Sequence, residues 1–387
     1  MNKIPEGWRY GRLDSFLVLQ RGFDLTQRQA QEGNVPVVSS SGISYYHNVA
    51  KVQPPGVVTG RKGKLGDVYY MGVPFWPHDT TLWVKDFGGN EPKFVRLFLE
   101  GFNLERFDAA TSVPTLNRNN VHKLRVAFPS LEEQERIVEI IDTWAEAIAL
   151  TERRIEAARQ RKQGLMQRLL TGRVRFPEFA HSTQRRETKF GDLPVDWEYV
   201  PISKVAKEVN VRNQEDHNYP VLSCTKHHGL VDSLEYFGRQ IFSDDLTSYK
   251  VVRRGQFAYA TNHIEEGSIG YQDLHDVALI SPMYTVYETK DRVDDSFLYK
   301  VLKTEKYRHI FEINTNGTVN RRGSLRWKAF SQIHIPLPSL AEQRCIAAVL
   351  QSCDCEIELL TQKRDALQRQ KKGLMQRLLT GRVRVKV

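Results

Sequence analysis

The stretch Gly164-Leu-Met-Gln-Arg-Leu-Leu-Thr-Gly-Arg-Val-Arg175 returns letter for letter as Gly373 to Arg384, at an offset of 209 residues. The same offset carries Pro129-Ser-Leu-Glu-Glu-Gln134 onto Pro338-Ser-Leu-Ala-Glu-Gln343, and Val121, Leu124 and Val126 onto Phe330, Ile333 and Ile335. A second echo, at an offset of 189, joins Ile4-Pro-Glu-Gly-Trp8 to Leu193-Pro-Val-Asp-Trp197, so the block between Trp and Pro-Ser-Leu is 20 residues longer in the second half. The chain therefore reads as variable block, shared block, variable block, shared block. A duplication that keeps its connectors and varies its globular parts points to two recognition tasks carried on one scaffold.

The shared blocks predict long helices. From Leu131 to Leu170 there is no proline, and Gly164 is the only glycine. Ile137, Ile141, Trp144, Ile148, Thr151, Ile155, Ala158, Lys162, Leu165 and Leu169 alternate at spacings of four and three, which is a heptad seam. The second copy runs through Ile346, Leu350, Cys353, Ile357, Leu360, Arg364, Leu367, Lys371, Leu374 and Leu378. Thr-Gly at 171–172 and 380–381 supplies each helix stop, with glycine suited to a left-handed cap. Each helix would be about 60 Å long at 1.5 Å per residue. Each seam is the obvious partner of the other, and two such units related by a pseudo-twofold axis would pack them antiparallel. The expected fold is α+β: two mixed α/β domains joined by two long helices in an antiparallel coiled coil, an internal pseudo-twofold repeat. Its boundaries fall at 1–130, 131–172, 173–192, 193–339, 340–380 and 381–387. Two domains held at a fixed separation suit a reader of two DNA half-sites, and a plain coiled-coil spacer is the competing reading.

Each block of about 120 to 150 residues is large enough for its own core. No run of 18 apolar residues occurs, the N-terminus has no apolar signal core, and the four cysteines lack framework spacing. A cytoplasmic protein is expected. The formal net charge is +10, and its placement is uneven: residues 152–175 carry +6 and residues 361–386 carry +8, leaving the remainder about four charges negative. The basic excess thus sits on the shared connectors, where it forms either a solvated helix face or a surface for a polyanion.

Strands are expected at Pro36–Val38, Gly56–Thr59, Asp67–Tyr70 and Thr81–Val84 in the first block, and at Pro220–Ser223, Gly255–Tyr259 and Pro282–Tyr287 in the second. Short helices follow at Lys93–Leu99 and Phe297–Lys303. Gly60-Arg-Lys-Gly-Lys-Leu-Gly66 is the clearest contact loop, because its glycines let backbone approach a phosphate while Arg61, Lys62 and Lys64 add charge. A basic hairpin turn is the alternative. Thr115–Asn120, with Asn117, Arg118 and Asn119, and Asn314–Arg322, with Asn316, Arg321 and Arg322, are read as corresponding segments before the two Pro-Ser-Leu motifs. Asn and Arg can pair bidentately with adenine and guanine, although Asn-rich stretches are also turn formers. Lys226, within Thr225-Lys-His-His228, and Asn262, within Asn262-His263, are weaker candidates for DNA contact.

Catalytic patterns do not emerge. Gln53-Pro-Pro-Gly56 lacks both ends of the Asn/Asp-Pro-Pro-Tyr/Phe motif of amino-methylation, and no Gly-x-Gly-x-x-Gly opens a helix. Cys345, Cys353 and Cys355 fall on one helix at spacings that suit no shared ion, and His227-His228, taken as a strand, would point to opposite faces. No metal site is expected.

Two dissimilar blocks, each opening with Pro-x-x-Trp and closing with Pro-Ser-Leu-x-Glu-Gln before a helix that ends in Gly-Leu-Met-Gln-Arg-Leu-Leu-Thr-Gly-Arg-Val-Arg, resemble a type I restriction–modification specificity subunit. The resemblance covers essentially the whole chain, twice over. It implies that each block is a target recognition domain reading half of a split DNA site, and that the chain is not itself catalytic. It further implies docking of two methyltransferase subunits, which recruit restriction/translocase subunits. Adenine methylation with S-adenosylmethionine, and cleavage driven by ATP with Mg, would then belong to those partners and not to this chain. A coiled-coil adaptor joining two protein-binding domains would share the scaffold but show no salt-sensitive DNA affinity.

Overall fold

A computed structural model describes residues 4–107, 114–189, 191–213, 217–315 and 323–386. They form two compact units that do not follow chain order: residues 1–154 with 360–387, and residues 155–359. Each unit therefore combines one variable block, the head of its own long helix and the tail of the other.

In the first unit the strands are β1 (Arg9–Arg12), β2 (Val18–Arg21), β3 (Val35–Ser39), β4 (Gly42–His47), β5 (Gly56–Gly60), β6 (Val68–Met71), β7 (Trp76–Pro77) and β8 (Thr81–Asp86). They are followed by α1 (Pro92–Gly101), α2 (Arg118–His122), β9 (Arg125–Phe128) and α3 (Leu131–Leu169). The four-stranded sheet has the order β2-β8-β5-β6, and a smaller sheet has the order β4-β3-β7, with β3 and β7 parallel. Every residue of β5 is buried, as expected of a Val-rich strand covered on both faces. Helix α1 starts at Pro92, where the missing N–H costs nothing, and Glu91 accepts from the Lys93 N–H. Its buried face, Phe94, Val95, Leu97, Phe98 and Leu99, joins Val57, Leu82, Val84 and Phe128 in the main core.

The second unit holds β10 (Arg185–Thr188), β11 (Gly191–Pro194), β12 (Glu198–Pro201), β13 (Ala206–Val209), β14 (Val221–Thr225), β15 (Gly229–Asp232), α4 (Ser233–Phe237), β16 (Lys250–Arg253) and β17 (Phe257–Ala260). Next come β18 (Ile269–Tyr271), β19 (Val277–Ile280), β20 (Tyr284–Thr289), α5 (Asp295–Leu302), α6 (Glu305–Thr315), α7 (Trp327–Phe330), β21 (His334–Leu337) and α8 (Leu340–Leu379). Sheet β13-β20-β17-β18 repeats β2-β8-β5-β6, and β15-β14-β19-β16 repeats β4-β3-β7 with β14 and β19 again parallel. The same topology is thus built from two dissimilar sequences. Most of the extra length in the second block lies at residues 233–256, against 48–55 in the first, and supplies α4 and β16.

The recurring motifs meet in space. In the first unit Glu133, 1% exposed, accepts from the Trp8 indole N–H at 3.2 Å and from the Arg384 guanidinium at 2.7 and 2.8 Å. In the second, Glu342 accepts from Trp197 at 3.1 Å and from Arg175 at 2.8 Å twice. Beside them Gln134 accepts from the Glu91 N–H and Gln343 from the Asp294 N–H, each tying the long helix to the start of a domain helix. Gly172 and Gly381 adopt φ of +61° and +65° after the helix ends, and a side chain there would strike Pro194 or Pro5. The Trp, Glu-Gln and Gly-Arg-Val-Arg motifs are therefore one joint, made twice.

All the sequence-assigned seam positions are buried or half-buried. In the first unit Ile137 and Ile141 share a core with Leu374, Met375 and Leu378; in the second, Ile346 and Leu350 share one with Leu165, Leu169 and Leu170. Head meets tail in each, so the helices run antiparallel within each unit. Trp144 and Ile148 are half-buried and Ile155 is buried on α3, while Cys353 is buried and Ile357, Leu360 and Leu367 are half-buried on α8. Lys162 meets Asp354, which Lys300 of α5 also pairs with, and the two lysines hold that carboxyl below its usual range against the opposing effect of burial.

Candidate nucleic-acid interface

In the first unit the Gly60–Gly66 loop joins antiparallel strands β5 and β6, so it is a hairpin loop. Its glycines are required by the loop itself: a Cβ on Gly60 would meet the Lys64 carbonyl, and Gly63 has φ of +85°. The Arg61 and Lys62 N–H groups donate to the Thr80 carbonyl on one side. On the other, the Leu116 N–H donates to the Arg61 carbonyl at 2.8 Å and the Gly63 N–H to the Pro114 carbonyl at 2.9 Å. Two segments nominated separately from sequence are thus laid side by side.

The three cations of the loop are not equivalent. Arg61 turns back, its Nε donating to the Asp79 carbonyl at 2.9 Å with its guanidinium 3.9 Å from the Asp79 carboxylate. Lys64 pairs with Asp67 at 2.6 Å, a contact that raises the lysine's pKa and lowers the aspartate's. Lys62 is exposed and, among the described residues, meets no carboxylate. Asn117 is occupied as the N-cap of α2, its carbonyl oxygen accepting from the Asn119 N–H at 2.9 Å. Arg118 and Asn119 project as exposed residues on the first turn of α2. At the far end of α2, His122 Nε2 accepts from the Leu19 N–H at 2.9 Å. Burial holds its pKa below the usual range; Arg118 and Arg12 add to that and Asp14 opposes it.

The second unit repeats the junction with other side chains. The Leu325 N–H donates to the Thr261 carbonyl at 2.9 Å, just as Leu116 does to Arg61. The segment matching Thr115–Asn120 is therefore 324–329, which leads into α7 as 115–120 leads into α2. The sequence reading had set 314–322 there, and Asn314 instead lies within α6. Asn316, Arg321 and Arg322 lie outside the described residues. Asn262 is half-buried, and its side-chain carbonyl accepts from the Thr261 hydroxyl at 3.0 Å. Lys226, His227 and His228 form the turn between β14 and β15 and are not a strand, so the opposite-faces argument does not apply to the histidine pair. Lys226 is exposed, and its carbonyl is tied by Lys303 Nζ to the Gly267 carbonyl, both at 2.9 Å.

Sequence reasoning missed Arg326, Met283 and Lys250, which come from three separate stretches of chain around Asn262. One signal was available: the offset of 209 already aligning Val121 with Phe330 also aligns Asn117 with Arg326. It missed as well the group His263, Glu265 and Glu266, the one place among the described residues where three such side chains converge, within 4.8 Å. No helix of the described residues is long and apolar enough to cross a membrane.

Taken together, the geometry defines a class: a duplicated α/β domain protein whose two loop faces have one backbone plan and different side chains, each mounted on a pair of long helices. The chain belongs to the family of the type I restriction modification DNA specificity domain, whose model matches it twice, at residues 5–160 and 194–369. Among curated relatives, the type I restriction enzyme MjaVIII specificity subunit of Methanocaldococcus jannaschii is 26% identical over 313 residues, 76% of this chain and 70% of the relative. The putative MjaX specificity subunit of the same organism is 26% identical over 425 residues, covering 100% of this chain and 96% of the relative. The fold is also that of the type I S subunit from M. genitalium (TM-score 0.57, 14% identity, 98% of this chain and 97% of that one). It is likewise that of the HsdS subunit from Thermoanaerobacter tengcongensis (TM-score 0.53, 18% identity, 98% of each chain).

Proposed function

We propose that this chain gives a type I restriction–modification complex its DNA sequence, each block reading one half of a bipartite, asymmetric site. The observation that carries the reading is the repeated junction. One backbone plan, marked by Leu116–Arg61 and Leu325–Thr261, presents Lys62, Asn117 and Arg118 in one block and Asn262 and Arg326 in the other. Identical scaffolds with different reading faces are what an asymmetric split target requires. The chain itself carries no catalytic role in this reading. Two methyltransferase subunits would supply adenine methylation with S-adenosylmethionine, and restriction/translocase subunits would supply ATP- and Mg-dependent cleavage. The specificity-subunit relatives and the length of the paired helices support docking of such partners.

The test is a genome-wide N6-methyladenine map of the host with and without this gene. A split motif with a fixed gap that loses its methylation on deletion is the expected result. Identical maps in a strain whose partner subunits are expressed and active would refute the reading, and would favour an adaptor that joins two proteins without touching DNA.

A further inference from the structure

The second unit contains a cleft of about 370 Å³ on the face where Thr261 meets Leu325. Asn262 follows β17, Met283 precedes β20, and Arg326 sits immediately before α7; Glu208 of β13, Lys250 of β16 and Trp327 also line it. Arg326 is exposed and has no ion-pair partner among the described residues; it occupies the cap position of α7 without a side-chain hydrogen bond to the helix. The Asn262 side-chain oxygen lies 3.0 Å from the Thr261 hydroxyl, which is equally close to the Met283 carbonyl, and the Asn262 NH2 has no acceptor among the described residues. Met283 is 60% exposed at the lip. Lys250 is turned inward, donating to the Tyr284 carbonyl at 2.6 Å.

This mixture fits base edges better than phosphate. A phosphate site gathers cations and backbone N–H groups, whereas here the exposed Glu208 carboxylate stands among the donors. In the major groove, however, arginine pairs with guanine O6 and N7, asparagine with adenine N6 and N7, and a carboxylate with the cytosine amino group, while an apolar side chain packs on the thymine methyl. The position in the fold agrees, because Asn262 and Arg326 follow the same backbone junction that Lys62 and Asn117 follow in the first unit.

We propose that this cleft reads the second block's half-site, with Arg326 hydrogen-bonding a guanine and Asn262 an adenine. The inference rests on the DNA-reading role proposed above, and the test separates the two. The full chain is expressed with its partner subunits as wild type, R326A, R326Q and N262A, and methylated sites are mapped by sequencing. A wild-type map without a split motif sinks the DNA-reading role itself. Given a split motif, R326A is expected to keep one half and the gap while losing selection for a G·C pair at one position of the other half. Methylation of sites altered there should rise on the order of tenfold or more; N262A should do the same at an A·T pair. Motifs unchanged in R326A and N262A overturn the proposal, as does relaxation of both halves together. If R326A abolishes methylation, R326Q decides: a position relaxed or switched toward adenine supports base reading, because glutamine pairs with adenine N6 and N7, whereas an unchanged motif overturns it. Loss in both arginine variants marks a structural residue and overturns it too.

Discussion

Replacing Glu342 with alanine should destabilise its surroundings by about 1.5 kcal/mol more than replacing Glu133 does, although the two carboxylates make equivalent joints. Both are 1% exposed, but the cations they hold differ: the Arg175 side chain is 9% exposed and that of Arg384 is 41% exposed. Removing one member of a buried pair costs roughly 3–5 kcal/mol because the other charge is stranded. Arg175 retains Asp196, two contacts at 2.8 Å, so the cost of Glu342→Ala should fall at the lower end, about 3 kcal/mol. Arg384 can turn to water, so Glu133→Ala loses mainly a charge-assisted hydrogen bond, about 1.5 kcal/mol. Each variant also orphans a buried indole N–H, a contribution common to both. Two units make a single unfolding free energy ill-defined, so the assay is native-state amide exchange on peptides containing Trp8 and Trp197. Exchange should accelerate about tenfold more in Glu342→Ala than in Glu133→Ala. Equal acceleration, or a larger effect at Glu133, would refute the argument from cation burial.

Four further outcomes are expected. Ile141→Asp, which places a carboxylate in the core beside Leu374 and Leu378, should cost more than about 4 kcal/mol and abolish soluble yield; the half-buried Ile148→Asp should be milder, and equal losses would count against the packing described. Lys62→Ala should reduce the salt slope of DNA affinity by about one, whereas Lys64→Ala, already neutralised by Asp67, should change it less; titrations of the assembled complex at several salt concentrations decide this. Because His122 has a folded pKa below that of the unfolded chain, its neutral form stabilises the α2–β2 contact; the contribution is present above about pH 6.5 and lost as pH falls through the folded value. His122→Gln should flatten that dependence in amide exchange at Leu19, and an unchanged profile would dismiss the histidine. Burial pushes the Cys224 thiol up to about 12, so a thiol reagent should modify exposed Cys355 well before Cys224.

The helices were legible because a heptad pattern is local and repeats many times, and the glycine stops mark where the pattern ends. Strands such as β5 and β20 were legible as runs of β-branched and aromatic residues between breakers. Their order was not, since the parallel pairing of β3 with β7 joins Val37 to Trp76 through contacts that no local pattern encodes. The joint of Trp8, Glu133 and Arg384 was visible as three separate echoes, but only the folded chain shows that one carboxylate serves the other two. The interface divides in the same way. Composition picked out Gly60–Gly66 and Thr115–Asn120, whereas the pairing of Asp67 with Lys64 and the inward turn of Arg61 depend on the fold. Arg326 escaped notice because a single arginine beside Trp327 has no compositional contrast until Leu325 is seen bonded to Thr261.

The joint of Arg384 with Glu133 and Trp8 also bears on how the chain could be reconnected. In the second unit Arg175 and Trp197 are 22 residues apart along the chain; in the first, their counterparts Arg384 and Trp8 are 376 residues apart, yet they meet an equivalent carboxylate. A linker from residue 384 to residue 4 would therefore close the four segments into a ring with two equivalent seams. A chain opened in the mostly exposed stretch 180–184, with residues 384 and 4 joined by a linker the length of residues 176–192, would keep every strand pairing among the described residues and both joints. In such a chain the second block would precede the first, so the fold itself does not dictate the order in which the two blocks are encoded.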